Sequence, residues 1–420
     1  MYCVYNGNNL NTGNYETNSI TVNPPSIKLN KYELARRDGV VVTNKQYGER
    51  TIKISGRVLA NNITEADTRL DTLNTYFNYD NKDLIVEVAG VNRKYNATPN
   101  GFSVTKTGYS FAWEATLTSS SFGEAITTTA LAFGTYTTPT SYVNTILGSF
   151  KAEPTIDMTV NQVEPYWTTK YIDFNNPYRN ERLRITRTWN WYDRVVINGA
   201  DKTVSLYAST KTVIDACDVT TGWTSSHTLS LDATNMKEGV GCLKNVMAGA
   251  AVLVSYSRLN ATAIDLSSTM GKVIFPIFIP TPTAGAVLSV RFQIGSDATL
   301  AANWDQFDVT TQWDGSALTT NAWNYIVIDL ASNPTGTGGT VNRAAIKSIL
   351  IAVCGTSGAL QLNGVLLDYI SLQKAGVTAT TIDYEGTFPE YGLGTSSILV
   401  EDELTSRNIT VTGTYVKRYL

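Results

Sequence analysis

Alternating apolar and polar positions dominate the chain. Thr51-Ile52-Lys53-Ile54-Ser55-Gly56-Arg57-Val58 has the period of two that a half-buried strand requires. Val40-Val41-Val42, Leu84-Ile85-Val86-Glu87-Val88, Arg93-Lys94-Tyr95-Asn96-Ala97 and Tyr109-Ser110-Phe111-Ala112-Trp113-Glu114-Ala115-Thr116-Leu117 predict further strands, the last with its aromatics on one face. One segment changes period. Leu70, Leu73, Tyr76 and Phe77 recur every three to four residues and predict a helix. Thr64 is its expected N-cap, with Glu65 and Asp67 in the first turn where the helix dipole favours acids, and it stops in the turn-rich Asn78-Tyr79-Asp80-Asn81.

The Thr/Ser/Gly-rich stretch from Thr118 to Ser141 predicts a linker. Beyond it, 153–160, 183–191 and 194–199 predict a second β unit, with Asn198-Gly199 marking a reverse turn before Thr203-Val204-Ser205-Leu206. Residues 210–377 hold only 9 Lys and Arg and 11 Asp and Glu, against 33 and 36 in the whole chain, so the charge density drops there. The flanks Asp201–Leu206 and Thr381–Gly386 predict neighbouring strands whose connecting loop has been replaced, as exposed loop tips tolerate. The expected organisation is mainly β, in three units: 1–143, a discontinuous 144–209 with 378–420, and an inserted 210–377. The strand Ile409–Val416 could pack on the second unit or return to the first.

Composition narrows the partners. With 16% charged residues and a formal net charge of −3, no basic face is visible that could neutralise a run of phosphates, so nucleic acid is a poor partner. No cationic start with an apolar core opens the chain, and no apolar run approaches the length of a membrane span. The expectation is a protein made in a cytoplasm, neither exported nor membrane-spanning. Cys3, Cys217, Cys242 and Cys354 lack metal or disulfide-scaffold spacing and read as small buried residues.

Catalytic chemistry has little to stand on. His227 is the only histidine, so a histidine metal cluster is excluded and a Ser-His-Asp triad would have to use that one residue. Carboxylates are numerous, but none sits in a recognisable glycosidase motif, and no catalytic residue is assigned. Asp368 is more informative. In Leu366-Leu367-Asp368-Tyr369-Ile370-Ser371-Leu372 it shares the phase of Leu366, Ile370 and Leu372, which turns its carboxylate toward the core. Either a calcium ion held by Asp215, Glu238 and Asp368 with main-chain carbonyls satisfies it, or backbone N–H groups or a Lys do.

The same phase argument locates a binding face. In Trp304-Asp305-Gln306-Phe307-Asp308-Val309 the apolar phase of Phe307 and Val309 turns Trp304, Gln306 and Asp308 outward. In Leu288-Ser289-Val290-Arg291-Phe292-Gln293-Ile294 the outward set is Ser289, Arg291 and Gln293. A ring beside amides and a charge pair suits a sugar, whose CH face stacks while its hydroxyls exchange hydrogen bonds. Trp313 and Tyr325 are weaker members of this carbohydrate-binding set, and Trp223 and Trp323 read as core.

Several phrases resemble known families. Ala35-Arg36-Arg37-Asp38-Gly39, Lys53-Ile54-Ser55-Gly56-Arg57-Val58, the helix, Arg93-Lys94-Tyr95 and the strand from Phe111 follow the order of elements in the ring-forming N-terminal domain of siphophage distal tail proteins. Val195–Gly199 and Thr203–Leu206, resumed at Asp383-Tyr384-Glu385-Gly386-Thr387-Phe388-Pro389 and Gly392–Ile398, are similar to the galectin-like second domain of that family, with Ser396 where Asn is usual. The insert resembles a jelly-roll carbohydrate-binding module, carried by Asp215, Asp218, Gly222-Trp223, Glu238–Lys244 and Leu366–Leu372. The resemblance implies a β-sandwich homo-hexamer ring in the virion, at the tail tip, joined to the tail tube protein above and a tail hub protein below, with the insert gripping a host surface polysaccharide. Two other readings stay open: a different tail or baseplate protein with a decoration domain, and a polysaccharide-active enzyme with an accessory module.

Overall fold

The computed structural model describes residues 1–420 except 34–39, 108–109, 164–168, 247–250, 268–270, 356–359 and 405–406. The phrase Ala35–Gly39 and the strand residue Tyr109 therefore lie outside the described residues. Their regular structure is nearly all strand, with one α-helix at Ile63–Tyr76 and a short 3-10 turn at Arg343–Ala345. Its cap is Asn62 rather than Thr64: the Asn62 side chain accepts the Glu65 N–H at 2.9 Å, and the Glu65 carboxylate accepts the Asn61 N–H at 2.8 Å. The Asn62 amide oxygen can accept a backbone N–H just as the Thr64 hydroxyl two residues later could, and the buried Ala66 and Leu73 select this phase.

In the N-terminal unit, Val91–Thr107 pairs along its first half with Lys82–Val88 and along its second with Ser110–Ser119. One long strand thus serves two layers, and Tyr5, Ile52, Ile54, Leu73, Leu84, Tyr95 and Trp113 fill the space between them. The stretch predicted as a linker is structured. Gly123–Ala130 is a strand, hydrogen-bonded to Val91–Thr107 on one side and to Arg407–Tyr419 on the other. Thr, β-branched, favours strands, and Thr127–Thr129 lie in this one, so a Thr-rich composition does not by itself mark a linker.

Arg407–Tyr419 resolves the alternative left open above by taking both options. Its first part pairs with Thr155–Val163 (Val163↔Arg407 to Thr155↔Thr414) and its last part with Gly123–Ala130 (Ala130↔Thr414 to Gly123↔Tyr419). One sheet therefore runs from the N-terminal unit into the second. A five-stranded sheet, including Thr140–Ile146, Thr169–Asn176 and Gly394–Asp402, covers it, and Ile156, Met158, Phe174, Trp191, Ile398 and Val411 are buried in between. Thr203–Tyr207 pairs with Ala379–Thr381, so the flanks are neighbours as predicted, but the strand ends at Thr381 and Glu385–Gly386 pairs with Glu181–Thr188 instead.

Residues 210–374 between those two strands supply a seven-stranded and a six-stranded sheet, and neither takes a strand from elsewhere in the chain. Val273, Phe275, Ile277, Val290, Phe292, Ile326, Ile351 and Leu372 form the layer between them, with Phe275 and Phe292 ring centroids 6.0 Å apart. Each such fully buried side chain contributes about 1.5–3 kcal/mol. All four cysteines are buried free thiols, and burial pushes Cys3 and Cys242 up to about 12.

Candidate functional site

The outer face of the six-stranded sheet is organised by its registers. Thr224, Ser257, Leu350, Gln293, Gln306 and Gly336 lie side by side on six adjacent strands. The next row holds Ser255, Ala352, Arg291 and Asp308, and the row on the other side Leu259, Ser348, Gly295, Trp304 and Gly338. Trp304, Gln306, Asp308, Arg291 and Gln293 thus share one face, half-exposed, while Phe292, Ile294 and Phe307 point into the core. Leu288 departs from the predicted phase. A register shift between Val287 and Ser289 turns it outward, 57% exposed, and leaves Ser289 buried beside Cys354.

The polar groups on this face hold one another. Arg291 Nε donates to Asp308 Oδ1 at 2.8 Å, Nη2 to Oδ2 at 3.3 Å, and Gln306 Nε2 to Oδ2 at 2.6 Å. Donating to Asp308 raises the Arg291 pKa further. A carboxylate fixed by a guanidinium and an amide presents its remaining lone pairs in one orientation, which is what a hydroxyl-rich ligand needs. The Trp304 indole lies over the edge strand Gly336–Gly338, where a Cβ on Gly338 would run into the ring. The missing side chain at Gly338 is what leaves room for that ring, whereas a Cβ on Gly336 would only touch it.

A cavity of about 360 Å³ opens on the same face at Gln293, walled by Thr224, Leu259 and Ala298–Leu300 and not by Trp304. That wall is stiff: Asp297 accepts the N–H groups of Thr299 and Asn303 at 2.9 Å each, and these bonds hold its pKa well below the usual carboxylate range. Leu300, at φ +55°, folds back over Gly295. The loop 296–303 and the pair Gly336 and Gly338 are the parts of this site that sequence reasoning missed. The Asp297-x-Thr299 turn was visible, but not which strand it covers.

Trp313 and Tyr325 are elsewhere. Trp313 packs with Val327 against the second unit, and Tyr325 is 9% exposed on the outer face of the seven-stranded sheet beneath Trp189 and Trp191. Trp223 is core, 5% exposed, but Trp323 is half-exposed on that same outer face, because its partner residue Phe278 also points outward.

The three carboxylates proposed for calcium are not brought together. Asp215 accepts the Cys217 N–H at 2.7 Å and the Trp223 Nε1–H at 3.2 Å and pairs with Arg258, and Glu238 pairs with Lys211 at 3.4 Å. Asp368 is fully buried, and its Oδ2 accepts the Lys237 and Glu238 N–H groups at 2.6 and 3.0 Å. Among the described residues no three His, Cys, Asp or Glu side chains gather to hold a metal. Burial raises the Asp368 pKa against those N–H bonds, and its Oδ1 makes no hydrogen bond. The predicted burial is correct, though not its cause: the strand breaks at Tyr369 (φ +34°), so Leu366 faces out while Leu367, Ile370 and Leu372 face in.

Residues 6–109 match the family model of the phage tail protein RIFT-related domain, which bears out the tail resemblance over that stretch. No curated protein sequence matches the chain. Among solved structures, the bacteriophage SPP1 Dit protein (gp 19.1), described as a paradigm of the hub adsorption apparatus in phages infecting Gram-positive bacteria, is similar at 16% identity over 49% of this chain and 82% of its own, with a TM-score of 0.39. The family 11 carbohydrate-binding module of Clostridium thermocellum, solved with a beta-1,3-1,4-mixed-linked tetrasaccharide, is 16% identical over 40% of this chain and 98% of its own, with a TM-score of 0.30. TmCBM27, a mannan-recognising carbohydrate-binding module, is 12% identical over 39% and 98%, with a TM-score of 0.21. No helix among the described residues is long and apolar enough to cross a membrane.

Proposed function

We propose that this protein is a non-enzymatic component of a phage virion. In this reading it forms a homo-hexamer ring at the distal end of the tail, joining the tail tube protein to the tail hub protein. Residues 1–143 build the ring, 144–209 with 378–420 form a galectin-like unit, and 210–377 are an autonomous module that grips a host surface polysaccharide. The single observation that carries the tail assignment is the phage tail domain match over residues 6–109. The binding assignment rests on the preset trio Arg291, Asp308 and Gln306, which shares a face with Trp304 and with the cavity at Gln293.

Assembly occurs in the host cytoplasm. Several module copies on one ring raise avidity, so a weak single site suffices for adhesion. Calcium enters the proposal as a stabiliser at Asp368, whose buried Oδ1 makes no hydrogen bond and is open to a cation supported by main-chain carbonyls. Asp215 and Glu238, turned to Arg258 and Lys211, are not drawn in.

The deciding experiment is retention of the assembled ring on host cell-wall polysaccharide, comparing wild type with Trp304→Ala, together with ring-averaged electron microscopy of purified particles. Unchanged retention of a folded Trp304→Ala ring removes the binding face from this sheet. Particles whose rings lack the protein remove the tail-tip assignment. Chelation should lower the melting temperature of wild type and leave Asp368→Asn unaffected; no change in wild type reduces Asp368 to a carboxylate capped by backbone N–H groups.

A further inference from the structure

The outer face of the seven-stranded sheet is only half covered. Trp189 and Trp191 of the second unit close over Ile274, Pro276 and Tyr325. One row further along, Trp323, Phe278, Leu366 and Lys244 lie side by side on four adjacent strands. Phe278 is half-exposed there, although every other apolar residue of Gly271–Ile279 is buried. Trp323 is half-exposed beside it, the two rings edge to face at 5.9 Å between centroids and 64° between planes.

This aromatic pair floors a second cavity of about 360 Å³, rimmed by Asp232, Asn235, Lys244 and Asn363. The rim is polar and its charge is uneven. Asp232 is occupied by Lys244 at 3.3 Å and by the N–H groups of Thr234 and Asn235 at 2.9 and 3.0 Å. Lys237, on the same loop, places its ammonium 5.8 Å from the Trp323 ring centre. Lys244 thus offsets Asp232, and Lys237 leaves one positive charge in excess at this rim.

We propose that this cavity is a second saccharide site, on the opposite face of the module from Trp304, and that it takes an acidic sugar. A pyranose CH face stacks on Trp323, the Asn363 and Asn235 amides meet hydroxyls, and a carboxylate or phosphate substituent lies between Lys237 and Lys244. The chemistry differs from the first face, where the Arg291 and Asp308 charges cancel and a neutral sugar is favoured. The inference rests on the module being a saccharide binder.

The test is calorimetric titration of the full-length ring with three probes: a neutral β-glucan oligosaccharide, an oligogalacturonate and a phosphomannan oligosaccharide. Either acidic probe should bind, weaken at least tenfold in Trp323→Ala and in Lys237→Glu, and bind normally to Trp304→Ala. Which acidic probe responds tells carboxylate from phosphate. Unchanged melting temperatures, and partial rescue by Trp323→Phe, separate lost stacking from lost folding. Acidic binding that disappears in Trp304→Ala and persists in Trp323→Ala overturns the second site and keeps the first. Neutral binding with no acidic binding does the same. If Trp323→Ala instead weakens capture of a tail protein while no acidic sugar binds, the face is a protein contact and the proposal fails. Binding of none of the probes overturns this site together with the reading it rests on.

Discussion

The two outer faces of the insert are built from similar strands and used differently. On the six-stranded side, small residues and a closed polar trio leave the face open, with Trp304 laid over an edge that lacks side chains. On the seven-stranded side, Ile274 at 5% exposure joins the second unit's core, and Lys272 sits 5.1 Å above the Trp191 ring while pairing with Asp329 at 2.9 Å. The lesson is directional. A sandwich docked by one sheet must present the other, so the docking contact decides which chemistry meets the outside.

The largest expected effect destroys both faces together. Phe292→Ala, between the sheets, should cost about 3–5 kcal/mol, lowering the insert's melting transition and abolishing retention on polysaccharide. Ile274→Ala acts on docking alone and should cost about 2 kcal/mol, read as faster proteolysis in the crossings near residues 208 and 377, with binding by isolated modules unchanged. If cleavage there does not change, the docking contact is not what fixes the insert.

Trp304→Ala should weaken saccharide binding by about 1–3 kcal/mol without moving the melting temperature. Asp308→Asn breaks a half-exposed ion pair, so its stability cost should stay below about 1 kcal/mol, and titration should show a loss of affinity out of proportion to it.

The smallest effect is a contrast in pH dependence. Backbone N–H bonds hold Asp232 down at about 2, so its contribution is intact above the ordinary carboxylate range and is lost progressively as the pH falls from there through about 2. The melting difference between wild type and Asp232→Asn should therefore stay constant from pH 7 to pH 5. Asp368 is raised, so the folded state binds its proton more readily than the unfolded chain does, and without metal the wild type should gain on Asp368→Asn as the pH falls.

Strand phase carried most of the fold and half of the candidate site. Where one strand ran unbroken, as at Thr51–Val58 and Trp304–Val309, alternation gave both element and facing. It failed where a local irregularity shifts phase: the register shift before Ser289 and the break at Tyr369 each reverse a side chain without any mark in composition. Facing also says nothing about what covers a face. Tyr325 and Trp323 share one outward phase on Ala322–Asp329, yet the second unit buries the first and leaves the second open. The linker reading failed for a further reason: the strand that pairs with most of Gly123–Ala130 is nearly three hundred residues away, and no local window contains it.

That pairing has a consequence for how the chain is made. During translation the strand Gly123–Ala130 emerges with one hydrogen-bonding edge unfilled, and its neighbour Arg407–Tyr419 leaves the ribosome only after the whole insert has been synthesised. At ordinary elongation rates the interval is on the order of tens of seconds. For that time the N-terminal unit of every nascent copy exposes a strand edge able to recruit the same edge of its neighbours on a polysome. Abundant Thr along Gly123–Ala130, with Glu124 at its start, keeps that waiting edge polar.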